Sequence, residues 1–207
     1  MTEAEATAQL QTIRSLMERA AVYRRALGPT LLSVGGLGTL AMAVGVLASV
    51  SAAWFASFWL GVAILAVSVS LLMIRTQALR AAEPFWTPPA RRVASAMLPP
   101  VVAAIAATTV LLIHLAGSPR ALLWLPPVWL VCYGLAVHAA GFFTIRALRR
   151  LGWAYVLCGA LAGLFAAAQP AWLESSRHAH LLMGVTFGLG HLAAGAWLLV
   201  VERKTPA

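Results

Sequence analysis

The sequence predicts an all-α fold: a polytopic membrane protein with a six-helix transmembrane bundle preceded by a cytoplasmic amphipathic helix. Three observations carry that prediction. Of 207 residues, 61% are hydrophobic and only 10% are charged, far below the roughly 25% charged residues of soluble domains. Mean hydropathy is +0.86, and several apolar runs reach the ~20 residues that cross a hydrocarbon core. The net charge of +9, from 15 Lys+Arg against 6 Asp+Glu, is segregated by loop. Segregated charge is a signature of membrane topology, so no nucleic-acid partner is expected.

Residues 1–28 read as the amphipathic helix. Thr2 and Glu5 have capping-box spacing. Leu10, Ile13, Met17, Ala20 and Leu27 keep one side apolar, while Arg14, Arg19, Arg24 and Arg25 lie elsewhere. Such a helix suits an anionic inner leaflet, apolar side down. Residues 2–25 also suit docking to a cytoplasmic protein partner or to a second copy of the chain. Gly28-Pro29 is expected to end the helix. Glu3 and Glu5 come early and the first apolar run comes late, so this is not a signal peptide.

The transmembrane domain is placed at 29–201, with spans at 29–50, 54–74, 97–116, 122–143, 152–168 and 181–201, and a cytoplasmic tail at 202–207. The outer turns 51–53 and 117–121 are short, so spans one/two and three/four form tight antiparallel hairpins. The inner connection 75–96 contains Glu83-Pro-Phe-Trp-Thr-Pro-Pro-Ala-Arg-Arg92. Its prolines are expected to forbid a continuous helix there, and Phe85 and Trp86 suit the headgroup layer. Pro126-Pro127 is expected to bend or loosen span four near its outer start. Trp54, Trp59, Trp124, Trp129 and Trp172 are placed toward the outer interface, Trp153 and Tyr155 toward the inner one.

Arginine and lysine set the orientation. One side holds Arg14, Arg19, Arg24 and Arg25 in the N-terminal segment, and Arg75, Arg80, Arg91 and Arg92 after span two. It also holds Arg146, Arg149 and Arg150 after span four, and Arg203 and Lys204 in the tail. The other side holds only Arg120 and Arg177. The positive-inside rule then places both termini in the cytoplasm.

The spans contain no Asp, Glu, Lys or Arg, which counts against proton-coupled carriers and ion pumps. No Walker lysine motif, His-Glu-x-x-His or embedded Ser/His/Asp set is present, which counts against an ATPase, a zinc protease and a serine hydrolase. Cys132 and Cys158 sit mid-span and read as small apolar residues. Histidine remains. His114, His191 and His138 lie roughly 5, 15 and 24 Å from the outer ends of their spans at 1.5 Å per residue. Two axial ligands of one haem need a common depth, so no cofactor is expected.

Gly184, Gly188, His191 and Gly195 fall at i, i+4, i+7 and i+11, one helical face. His138 shares a face with Gly134 and Gly141, and span five adds Gly159-x-x-x-Gly163. Glycine faces let helix backbones approach, and a histidine set in one makes an interhelical bond worth roughly 0.6–2 kcal/mol. Span six is therefore expected to press against span four or five. The alternative is a polar point in a small cavity lined by His138, His191, Cys132 and Thr186, which binds a ligand or titrates near neutral pH. On the outer side Glu174, His178, His180 and His114 have the donor types of a zinc or copper site. The 174–180 stretch is equally the polar turn such a hairpin needs, and no metal is expected.

Three stretches carry a family likeness: Ile13-Arg-Ser-Leu-Met-Glu-Arg19, the proline-rich 83–92 connection, and Phe187-Gly-Leu-Gly-His191-Leu-Ala-Ala-Gly195. In these the chain resembles a family of uncharacterised bacterial six-span integral membrane proteins. The resemblance implies a multi-pass protein of the bacterial inner membrane and brings no activity, substrate or catalytic residue. The expected function is non-enzymatic, with the N-terminal helix and basic loops engaging a partner or the lipid bilayer surface. The alternative is a small-molecule permease or binding protein with a cavity at His138 and His191.

Overall fold

The long apolar runs form helices because lipid leaves a backbone no other partner than itself. The structure is a computed structural model, and it describes residues 26–82, 84–115, 120–168 and 175–204, with side chains to 201. The first 25 positions, with the capping-box pair and most of the apolar stripe expected there, lie outside the described residues, as do Trp172 and Glu174.

The helices are α1 (Ala26–Leu47), α2 (Ala52–Arg80), α3 (Pro88–His114), α4 (Ala121–Ala140), α5 (Arg146–Ala167), α6 (Ser176–Met183) and α7 (Gly190–Lys204). A π-helical segment, Gly184–Leu189, joins α6 to α7, and the three together make one span, Ser176–Val201. No strand occurs among the described residues. Six helices are long and apolar enough to cross a membrane. The chain is an all-α, multi-pass membrane protein.

Several helices run further than their apolar stretches. Gly28 and Pro29 lie within α1. The connection 75–96, expected to be broken by its prolines, is non-helical among the described residues only at 81–82 and 84–87. Its prolines begin a helix instead of breaking one. Pro88 and Pro89 occupy the first turn of α3, where an N–H would lack a partner anyway, and Thr87 Oγ1 accepts from Ala90 N at 3.4 Å. Ala82 takes up the sharp turn at φ 52°. With 29 residues, α2 is about 44 Å long, against a hydrocarbon core of about 30 Å. Its Arg75–Arg80 end therefore reaches past the apolar layer.

Pro126-Pro127 does not interrupt α4. Both rings are buried, and they sit in the second turn, so the carbonyls that lose a donor belong to Leu122 and Leu123, close to the helix start. The α1–α2 turn closes with Val50 N donating to Gly45 O at 3.0 Å around Ser49, which sits at φ 51°. That is a Schellman-type ending with serine where glycine is usual.

The centre of the bundle is α4, with 50% of its membrane window buried against 6% for α2 and for α3. It packs along α5 on one side and α3 on the other. The outward faces of α2 and α3 carry Ile64, Leu72, Ile105 and Ile113, all well exposed. In water such surfaces are a liability, but in a bilayer they meet acyl chains.

Two contacts bring backbones together. A Cβ on Gly134 would stand 2.7 Å from Gly152 O, and one on Gly152 would stand 2.7 Å from Gly134 O, so α4 and α5 touch backbone to backbone. The second joins α1 to the last span. A Cβ on Gly35 would lie 2.6 Å from Leu192 N, one on Gly188 would lie 2.8 Å from Thr39 N, and one on Gly195 would lie 2.9 Å from Leu32 N. The glycine face expected to meet span four or five lies on α1.

Candidate functional site

Two of the buried polar side chains, His180 and His191, lie on the last span and draw partners from other helices. Gly184, Gly188 and Gly195 face α1, yet the His191 ring reaches Tyr133 on α4 and Tyr155 on α5. The four residues that share a face at 3.6 residues per turn do not share a neighbour.

The bonds around His191 fix its tautomer. Nδ1 lies 2.6 Å from Phe187 O, which can only accept, so Nδ1 carries the proton. Nε2 then accepts from the Tyr133 hydroxyl at 2.7 Å. Tyr155 Oη stands 2.8 Å from Nδ1 and donates to Thr186 O at 3.3 Å. Thr186 and Phe187 both lie in the π segment, so two of its carbonyls are the acceptors of this network. Phe187 packs on Tyr133 and Tyr155 at 5.0 and 5.6 Å between ring centroids. His191 is 1% exposed. The result is a closed, neutral set of hydrogen bonds that ties α4 and α5 to the last span.

The other candidate residues are dispersed. His138 sits near the basic end of the α4–α5 contact, where Nδ1 donates to Arg149 O at 3.2 Å and the ring packs edge-on against Phe142 and Trp153. Gly141 lies beside Arg149, whose guanidinium is 5.1 Å from the Phe142 ring. Gly159 meets the backbone of Val131, whereas Gly163 has only Pro127 at 3.8 Å. Cys132 is half-buried and Cys158 is exposed, and both are free thiols. Thr186 Oγ1 bonds back to Leu182 O at 2.7 Å.

The described residues of the expected metal cluster, His114, His178 and His180, do not form a metal-ligating group. His114 is exposed and turns back to its own helix, with Nδ1 3.0 Å from Val110 O. Glu174 lies outside the described residues, and among those described no group of three metal-ligating side chains forms. His180 has a different task from the turn residue expected. It is fully buried, its Nδ1 accepts from Trp59 Nε1 at 3.0 Å, and its Nε2 donates to Val50 O at 3.2 Å. Its ring lies against Gly45, Phe55 and Phe58. One imidazole thus grips α1, α2 and their turn, inside a cluster completed by Leu122, Leu125 and Met183. Trp59→Phe removes the indole donor and part of a buried ring. It is expected to lower stability by roughly 1–3 kcal/mol, read as a fall in unfolding midpoint in detergent.

Tyr133, Tyr155, Trp59 and His180 are the residues that sequence reasoning missed or misplaced. Tyr155 is buried in the network and is not an interface anchor, and Trp129 donates to Thr108 Oγ1 at 2.7 Å inside the bundle. A signal was present for Tyr133, which falls mid-span in 122–143, where a hydroxyl needs a partner. No family model, curated protein or solved structure matches the chain. The site is therefore read from its own chemistry, and that chemistry is cohesion: each hydroxyl and imidazole nitrogen of the His191 network is bonded.

Proposed function

We propose that this is a non-enzymatic membrane protein whose basic end, with residues 2–25, docks a protein partner or lies on an anionic leaflet. One contrast carries the reading. The polar groups of the His191 network are bonded to one another, whereas the basic side carries 13 of the 15 Arg and Lys against only Glu3, Glu5, Glu18, Glu83 and Glu202, a net positive charge. Arg75, Arg80, Arg91, Arg92, Arg146 and Arg150 all lie at the helix ends of that side. Arginine at a bilayer edge attracts anionic surfaces by about 1 kcal/mol per residue.

The same charge supports placing both termini on the cytoplasmic side of a bacterial inner membrane. The stretches at 13–19, 83–92 and 187–195 support membership of the six-span family that they resemble. A permease cavity at His138 and His191 has less support, because His191 is bonded at both nitrogens and 1% exposed.

Deleting residues 2–25 and capturing partners from crosslinked membranes tests the docking role. The deletion is expected to lose the partner or the self-association. An unchanged set of captured proteins and an unchanged oligomeric state would refute it.

A further inference from the structure

At the basic end, α1, α5 and α7 do not close on one another. They leave a groove of about 470 Å³ walled by Leu31, Leu148, Leu151, Ala193, Trp197 and Leu198. It runs from the level of Leu198 to Gly190, eight residues or about 12 Å along α7. The volume is that of an ordinary small-ligand site. Every lining residue is apolar except one, Arg150, at the basic end of α5. Arg150 is exposed and has no ion-pair or hydrogen-bond partner among the described residues.

We propose that this groove holds one anionic glycerophospholipid, with an acyl chain along Leu151, Ala193 and Leu198 and its phosphate on Arg150. The groove opens within the apolar layer, where water is absent and hydrocarbon is the available filler. Its single charged group is a guanidinium, whose fork matches two phosphate oxygens. An apolar slot with one cation at the headgroup edge selects an amphiphile with one anion. The N-terminal segment, which continues from Ala26 near Leu31, is the competing occupant. That segment carries Arg14, Arg19, Arg24 and Arg25 against Glu3, Glu5 and Glu18, a net positive charge that does not complement Arg150. The lipid needs only the membrane placement of the helices, so the outcome of partner capture does not decide it.

The test is native mass spectrometry of the full chain in detergent with equimolar phosphatidylglycerol and phosphatidylcholine of identical acyl chains. One retained phosphatidylglycerol is expected, favoured about fivefold, the factor that one arginine contributes at an anionic surface. Arg150→Gln is expected to bring the two lipids to parity. Ala193→Phe, on an exposed position of the groove wall, is expected to reduce retention of both. Equal binding of the two lipids by the unaltered chain overturns the proposal. So does a preference that survives Arg150→Gln, or one that appears only when residues 2–25 are deleted.

Discussion

Gly152→Ala is expected to destabilise the bundle by roughly 1–3 kcal/mol, the usual cost of forcing atoms into a filled space, whereas Gly61→Ala is expected to be neutral or slightly stabilising. Both residues lie in helices, where alanine is the better helix former by about 0.5–1 kcal/mol. The difference lies in what each new methyl meets. At Gly152 it would stand 2.5 Å from His138 N and 2.7 Å from Gly134 O. These are backbone atoms of α4, so no rotamer change relieves the contact and the two helices must separate. At Gly61 nothing lies within 4 Å. Gly35→Ala should behave like Gly152→Ala, since its methyl would lie 2.6 Å from Leu192 N, and Gly36→Ala like Gly61→Ala. Unfolding midpoints in a detergent titration read all four. Equal effects at the crowded and open positions would mean that neither pair of helices meets at its glycines.

The spans were legible because lipid imposes a rule that composition alone reveals: an apolar run long enough to cross must be helical. Helix ends were less so. Proline both stops a helix and starts one, and only the cap at Thr87 decides that Pro88-Pro89 starts α3. The glycine face of the last span was legible as a face but not by its partner. Periodicity gives directions around one axis and says nothing of which neighbour stands there. The π segment was hidden for the same reason, since its sequence, Gly184-Val-Thr-Phe-Gly-Leu189, fits an α-helix equally well. His180 was hidden by its neighbours: Ser175, Ser176, Arg177 and His178 make a polar stretch, and burial begins within it, at Ala179.

The buried polar groups fall at separate levels of the bundle, and each joins helices distant in sequence. At the end opposite the basic connections, His180 holds the first hairpin against the last span. Deeper in the membrane, His191 holds α4 and α5 against it. Apolar helices in lipid gain little from mere contact, since acyl chains are equally apolar. Specific hydrogen bonds and close glycine contacts are then what fix one arrangement among many. The last span carries both: glycines toward α1 and an imidazole toward α4 and α5.

His191→Ala is expected to cost roughly 2–4 kcal/mol, more than any single hydroxyl deletion around it. Interhelical hydrogen bonds in membranes average about 0.6 kcal/mol and reach about 1.7. His191 takes part in two such contacts, with Tyr133 and Tyr155, besides its own bond to Phe187 O. Its loss also leaves buried polar groups unpaired, at about 1–3 kcal/mol each when they find no substitute. Tyr133→Phe removes one donor and leaves Nε2 unpaired, so about 0.6–1.7 kcal/mol is expected. Because both substitutions break the same bond, combining them should cost less than their sum. A double-mutant cycle on unfolding midpoints in detergent measures that shortfall. Strict additivity would mean that the Tyr133–His191 bond contributes nothing. A wild-type-like midpoint for His191→Ala would go further. It would mean that the imidazole holds no helices together and is a free polar group in a cavity, the role that its closed set of bonds argues against.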